Sequence, residues 1–188
     1  MVSKKEFFQR AVGYAVVIGL IILATGLILY FQRPPENPGK YAEDIRENVL
    51  YRVTSVLDGD TLIANVAGHE VTLRLLGIDT PEIVDPRKPV QCYGPEASAK
   101  ARELLAGKEI YIEKDGIKEH TTGNYDKYGR VLAYVKMADG TLYNQKMIEE
   151  GFAREYTFGK EKYIYQKEFK DVQKKAKKEK VGLWGKCL

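Results

Sequence analysis

Histidine and cysteine are nearly missing from this 188-residue chain, which holds only His69, His120, Cys92 and Cys187 of the two types. Two cysteines cannot build a disulfide scaffold or a four-thiolate zinc site, and two histidines exclude a histidine-rich metal centre. Any metal would therefore sit mainly on oxygen ligands. Neither glycine (17) nor proline (7) is in excess, and no internal repeat is present, which excludes collagen-like and low-complexity chains. One stretch alone is apolar enough to cross a bilayer, so a multi-span membrane protein is excluded too. The length suits one folded domain with a short appendage.

Charge is present in both signs but unevenly placed. Residues 1–40 hold five basic and two acidic side chains, 41–159 hold 15 and 20, and 160–188 hold 10 and 4. The middle is acidic, which suits a hard cation, and the tail is basic, which suits either a polyanion or a solvated helix face. Ala11–Phe31 carries no charge over 21 residues. As a helix it reaches roughly 30 Å, about the hydrocarbon thickness of a bilayer. Lys4, Lys5 and Arg10 precede it, so the positive-inside rule keeps residues 1–10 in the cytoplasm and exports the rest. The expectation is a single-pass anchor at 11–31, a polar linker at 32–48 and a folded domain at 49–188 on the outer side of the cell membrane. A cleaved signal peptide, with Ala24-Thr25-Gly26 as the small-residue site and a secreted product, is the alternative.

Within the domain, Val, Leu and Tyr content predicts a strand at Val49–Leu57, and turn signals on both sides bound a second at Thr61–Val66. Alternation of apolar residues predicts strands at Glu70–Leu76, Glu109–Lys114 and Arg130–Met137. Ala67-Gly68-His69 reads as a hairpin turn. Arg130–Met137 is apolar on both faces, which predicts a strand with two neighbours. Gly94-Pro95-Glu96 opens a helix to about Ala106, Asn144 is expected to cap a short helix ending at Gly151, and Glu161–Lys180 reads as a long basic helix. In that last helix Tyr163, Phe169, Val172 and Ala176 are expected to face the barrel, with Lys170, Lys174, Lys177 and Lys178 outward. Five strands with a helix between the third and fourth predict an α+β, mainly β, OB-type barrel. The pattern alone leaves an SH3-like barrel or a general α+β sheet open.

Acidic residues cluster at two predicted strand ends, Asp58-Gly59-Asp60-Thr61 and Asp79-Thr80-Pro81-Glu82. Either tetrapeptide alone is ordinary turn chemistry. Together they bring four carboxylates within 25 residues, a donor set a divalent hard cation could use. Alternation turns Arg74 away from Leu73 and Leu75, and Arg130 opens the last barrel strand. Arginine forks onto two phosphate oxygens as lysine cannot. Carboxylates, a cation and two arginines describe a phosphoryl-transfer site. No serine, cysteine or histidine is placed to act as a nucleophile.

Asp58-Gly59-Asp60-Thr61, Arg74 to Glu82, Tyr93-Gly94-Pro95-Glu96-Ala97-Ser98 and Asp126-Lys127-Tyr128-Gly129-Arg130 stand in the order and spacing of the staphylococcal nuclease (thermonuclease) family. The resemblance runs from about Tyr51 to Trp184. It implies an OB-fold barrel with about three helices, and a Ca²⁺-dependent phosphodiesterase that cleaves DNA and RNA to leave 3′-phosphate ends. By position, Asp60, Asp79 and the Thr80 carbonyl resemble the Ca²⁺ ligands, with Asp58 beside them acting through water. Glu82 resembles the general base, and Arg74 and Arg130 resemble the phosphate-binding arginines. Lys127, Tyr128 and Tyr156 match positions that touch the nucleotide, and Tyr128 reads equally as a packed aromatic. Phe158 stands where a second tyrosine is expected, which keeps base stacking and loses a phenol hydrogen bond. The partners implied are nucleic acids and, through 11–31, the membrane; no protein partner is inferred. A membrane-tethered OB module that binds nucleic acid without cutting it is the alternative. Export and exactly one cysteine pair predict a Cys92–Cys187 disulfide, against two free thiols.

Overall fold

The computed structural model describes residues 41, 43–83, 89–115 and 125–187. The expected anchor at 11–31 lies outside the described residues, as do 32–40 and His120. No helix among the described residues is long and apolar enough to cross a membrane.

Five strands close into a barrel in the order β1-β2-β3-β6-β5. They are β1 (Leu50–Asp58), β2 (Thr61–Val66), β3 (His69–Leu75), β5 (Glu109–Lys114) and β6 (Val131–Met137). A two-stranded sheet of β4 (Ile78–Asp79) and β7 (Arg154–Glu155) lies outside that ring. All barrel pairs are antiparallel except β3–β6. The helices are α1 (Gly94–Leu105), α2 (Tyr143–Glu149), α3 (Gln166–Lys178) and a single turn, α4 (Leu183–Lys186).

The barrel closes on itself because β1 pairs with both β2 and β5. Its ladder to β2 shifts register between Val53 and Ser55 and again between Val56 and Asp58. Such bulges coil a strand enough to serve two neighbours in a small barrel. The β2–β3 turn is Ala67-Gly68, both with positive φ (52° and 89°), as a two-residue hairpin demands. Val53, Leu62, Ala64, Val71, Leu73, Ile110, Val131, Ala133 and Val135 point inward and are buried. This is the alternation read from the sequence, and β6 lies between β3 and β5 as its two apolar faces require.

Three expectations are corrected. Asn144 caps nothing: α2 starts at Tyr143 after Leu142, with no side-chain cap. Its buried amide instead accepts from Val135 N (3.0 Å) and donates to the Leu76 carbonyl (2.8 Å), tying α2 to the barrel. The basic helix begins at Gln166 rather than Glu161, because Tyr163 and Ile164 are engaged elsewhere: the Tyr163 hydroxyl donates to Glu155 Oε1 (2.8 Å) and Ile164 N to Asp115 Oδ2 (3.4 Å). Part of the expected linker is folded onto the barrel. Ile45 is buried, Arg46 N donates to the Tyr51 hydroxyl (2.8 Å), and Tyr41 stacks on His69 at 3.7 Å. In α3, Phe169 and Ala176 are buried and Lys170, Lys174, Lys177 and Lys178 are exposed. Cys92 and Cys187 are joined, with an S–S distance of 2.07 Å and Cα atoms 5.8 Å apart.

Candidate active site

The turn between β1 and β2 and the β4 segment meet at one end of the barrel. Gly59 makes this possible: a Cβ there would lie 2.5 Å from Thr80 Cγ2. The fully buried Tyr143 hydroxyl donates to the Gly59 carbonyl (2.8 Å) from α2, fixing the turn from behind. Asp60 is buried and bonded on both oxygens, to Thr61 Oγ1 (2.9 Å) through Oδ1 and to Thr80 N (3.1 Å) through Oδ2. Its carbonyl accepts from Leu75 N (2.8 Å), so the turn, β3 and the β4 segment share one set of bonds.

Arg74 lies opposite Thr61 on β2 and Leu132 on β6, on the outer face of β3. Its Nη1 donates to the Leu75 and Ile78 carbonyls at 2.8 and 3.0 Å. Its Nη2 lies 3.1 Å from Asp60 Oδ2 and 3.6 Å from Asp79 Oδ1. One cationic nitrogen therefore reaches both carboxylates. β4 pairs Asp79 with Arg154 of β7, which sets a second positive charge beside Asp79.

These carboxylates crowd each other. Burial, then the charges of Asp60 and Glu82, hold the Asp58 carboxyl up at about 6, although its Oδ1 accepts from Gly59 N (2.7 Å). Asp58 also shares a hydrogen bond with Glu82. Burial and the Asp60 charge raise Asp79, more than Arg74 and Arg154 pull it down. Surplus negative charge of this kind is what a divalent cation relieves. Among the described residues no three Asp, Glu, His or Cys side chains converge closely enough to hold an ion by themselves. Asp60 and Asp79, which share one cationic nitrogen of Arg74, are the carboxylates that could hold such an ion, with backbone oxygen and water as further donors. The Thr80 hydroxyl is buried and has no hydrogen-bond partner.

Asp58, Asp60, Arg74, Asp79, Thr80, Glu82, Gln91 and Arg130 line one cleft of about 410 Å³. Arg130 enters it from a tight turn. Asp126 accepts from Tyr128 N and Arg130 N (both 2.9 Å) through Oδ1, and from Arg130 Nε and Nη2 (both 2.6 Å) through Oδ2. The carboxylate thus shapes the turn and orients the guanidinium together. A second cavity of about 440 Å³ shares Arg74, Asp79 and Arg130 with the first. Its walls include Lys127, Tyr128, Tyr156, Phe158 and Tyr163. Tyr128 and Phe158 are each 68% exposed and Tyr156 44%. Exposed rings beside a charged cleft make a stacking platform. Lys127 Nζ and Arg130 Cζ lie 5.0 and 5.3 Å from the Tyr128 ring centre. Tyr128 is thus a surface ring rather than a packed one.

Every residue singled out in the sequence for the metal, the chemistry or the nucleotide lines one of these two adjoining cavities. Cys92 and Cys187 do not; their bond holds the start of α1 to the end of α4. Sequence reasoning missed Arg154 and Gln91. Arg154 is invisible until β7 pairs with β4, and Gln91 until its backbone meets Glu82.

Comparison with known proteins adds to this geometry. A sequence model of the family described as "Staphylococcal nuclease homologue" matches residues 72–186. A protein named "Thermonuclease" from Staphylococcus hyicus is 35% identical over 172 residues, 90% of this chain and 97% of its own length. One of the same name from Staphylococcus intermedius is 34% identical over the same shares. "Endonuclease YncB" of Bacillus subtilis (strain 168) is 35% identical over 146 residues, 78% of this chain and 66% of its own.

Proposed function

The chain belongs to the staphylococcal nuclease family, and from that premise we propose a Ca²⁺-dependent nuclease that hydrolyses DNA and RNA to 3′-phosphate ends. That it is a nuclease, a phosphodiester hydrolase, follows from the family model and from relatives named as thermonucleases and endonucleases. The observation that carries the finer reading is the meeting of Arg74, Arg130, Asp60, Asp79 and Glu82 in one cleft, beside a wall of exposed aromatic rings.

Arg74 and Arg130 come from neighbouring parallel strands, β3 and the entrance to β6, so the two guanidinium groups approach one phosphate from a rigid base. Both are held in advance, Arg74 by two carbonyls and Arg130 by Asp126, so little reorganisation accompanies binding. Their donors meet the non-bridging phosphate oxygens and stabilise the charge that grows as water adds. Glu82 accepts the proton of the attacking water, with Asp58 beside it. A water oxygen–phosphorus bond forms, the phosphorus–O5′ bond breaks, and a proton goes to the 5′ oxygen. No covalent intermediate is needed. Asp60, Asp79 and the Thr80 carbonyl would hold Ca²⁺, which supplies positive charge to the phosphate when bound. Tyr128, Tyr156 and Phe158 stack bases or sugars, and Lys127 adds charge at the rim.

The uncharged run Ala11–Phe31 supports a membrane tether with the nuclease domain outside the cell. Fractionation tests it: protein found only in the soluble extracellular fraction would refute the tether.

The deciding experiment incubates the full chain, purified in detergent, with closed circular DNA and with single-stranded RNA. Ca²⁺, Mg²⁺ and EDTA are compared, with Glu82→Gln and Arg130→Ala alongside. Cleavage in Ca²⁺, lost in EDTA and strongly reduced in both variants, is expected. Nucleic acid bound but uncut in every metal would replace catalysis with a binding module.

A further inference from the structure

We propose that Gln91 is the positioning residue for Glu82. The inference rests on the nuclease reading above, in which Glu82 handles the proton of the attacking water. Gln91 holds Glu82 from two directions. Glu82 N donates to Gln91 Oε1 (3.1 Å), and Gln91 N donates to the Glu82 carbonyl (3.0 Å). Both backbone hydrogen-bonding groups of Glu82 are thereby occupied by one residue nine positions away. The same Gln91 lines the cleft with Asp58, Asp60 and Arg130.

The clamp is itself mounted on fixed parts. The Gln91 carbonyl accepts from Gly94 N (3.0 Å), at the first residue of α1. Gly94 allows the approach, because a Cβ there would lie 2.5 Å from Ile83 Cγ2 and 3.2 Å from the Pro81 carbonyl. Cys92, the next residue after Gln91, is bonded to Cys187 at the end of α4. Glu82 follows the short β4 by only three residues and has no strand or helix of its own to fix it. Its backbone is set instead by Gln91, and Gln91 by α1 and the disulfide. A proton acceptor must stand within a few tenths of an ångström of its water, so looseness here is felt in the chemical step rather than in substrate binding. Among the described residues the Gln91 side chain serves as an acceptor. A thioether of similar bulk cannot accept that bond.

The test uses the full chain in saturating Ca²⁺, with single-turnover cleavage of a short single-stranded DNA. Wild type is compared with Gln91→Ala and Gln91→Met. Losing one backbone hydrogen bond of about 1.4 kcal/mol corresponds to about a tenfold slower step. Gln91→Ala and Gln91→Met should therefore lose about tenfold in the maximal single-turnover rate, with the half-saturating concentration within about twofold of wild type. Melting temperatures within a few degrees of wild type separate misplacement from unfolding, and Gln91→Met keeps the volume should alanine destabilise. An active wild type beside Gln91→Met of equal maximal rate would overturn this inference alone. A wild type that cuts nothing in any metal would remove the nuclease reading, and this inference with it.

Discussion

Asp58→Asn is expected to stabilise the metal-free protein. The carboxyl titrates near 6 when folded against an ordinary 3.8, because burial and the charges of Asp60 and Glu82 disfavour its ionised form. A group whose folded pKa is raised contributes stability that is full below the unfolded value and is lost as pH rises through the folded one. A shift of about two units corresponds to at most about 3 kcal/mol lost above pH 6. Asp58 is only partly buried, so solvent screening reduces the expected loss to about 1–2 kcal/mol. Asparagine removes the charge and keeps the Oδ1 that accepts from Gly59 N. Urea unfolding in EDTA measures the difference. Asp58→Asn should exceed wild type by about 1–2 kcal/mol at pH 8, with the gap shrinking steadily as pH falls from 6 toward 4. Ca²⁺ should also narrow the gap, because a cation in the cleft relieves the same repulsion. A variant less stable than wild type at pH 8 in EDTA, or a gap that ignores pH, would refute the crowding argument.

Calcium should raise the melting temperature of wild type, and Asp60→Asn and Asp79→Asn should each lose most of that rise; calorimetry with and without the ion decides it without any activity assay. Arg130→Ala should lower kcat by about 10²–10³-fold, the usual cost of deleting a preorganised donor to a developing anion, and steady-state cleavage checks it. Asn144→Ala should cost about 2–4 kcal/mol in urea unfolding, since Val135 N and the Leu76 carbonyl would both lose buried partners. Reducing Cys92–Cys187 opens a loop of 95 residues and should cost about 4–5 kcal/mol, read as a lower melting temperature in reductant.

The barrel could be read from the sequence because its signal is local. Val71, Leu73 and Leu75 alternate with Thr72 and Arg74, and that alternation alone sends Arg74 outward, where the structure places it. The acids were readable because they sit in turn tetrapeptides at strand ends, which a closed barrel brings to one rim. What could not be read depends on partners far along the chain. Asn144 looks like a helix cap until two barrel strands claim its amide. Tyr163 has the right spacing to begin α3, yet its hydroxyl serves Glu155 and the helix starts three residues later. Gln91 carries no local signal: it is an exposed amide in a loop, and its function exists only where that loop returns to Glu82.

The covalent link between residues 92 and 187 also changes what a protease can do to the chain. A single cut anywhere between those positions leaves both pieces attached, so one nick in the larger part of the domain releases nothing. The strands before residue 92 gain no such protection. Damage that separates fragments must fall upstream of α1 or strike together with reduction. A nicked molecule would run as one band on a non-reducing gel and as two after a thiol is added.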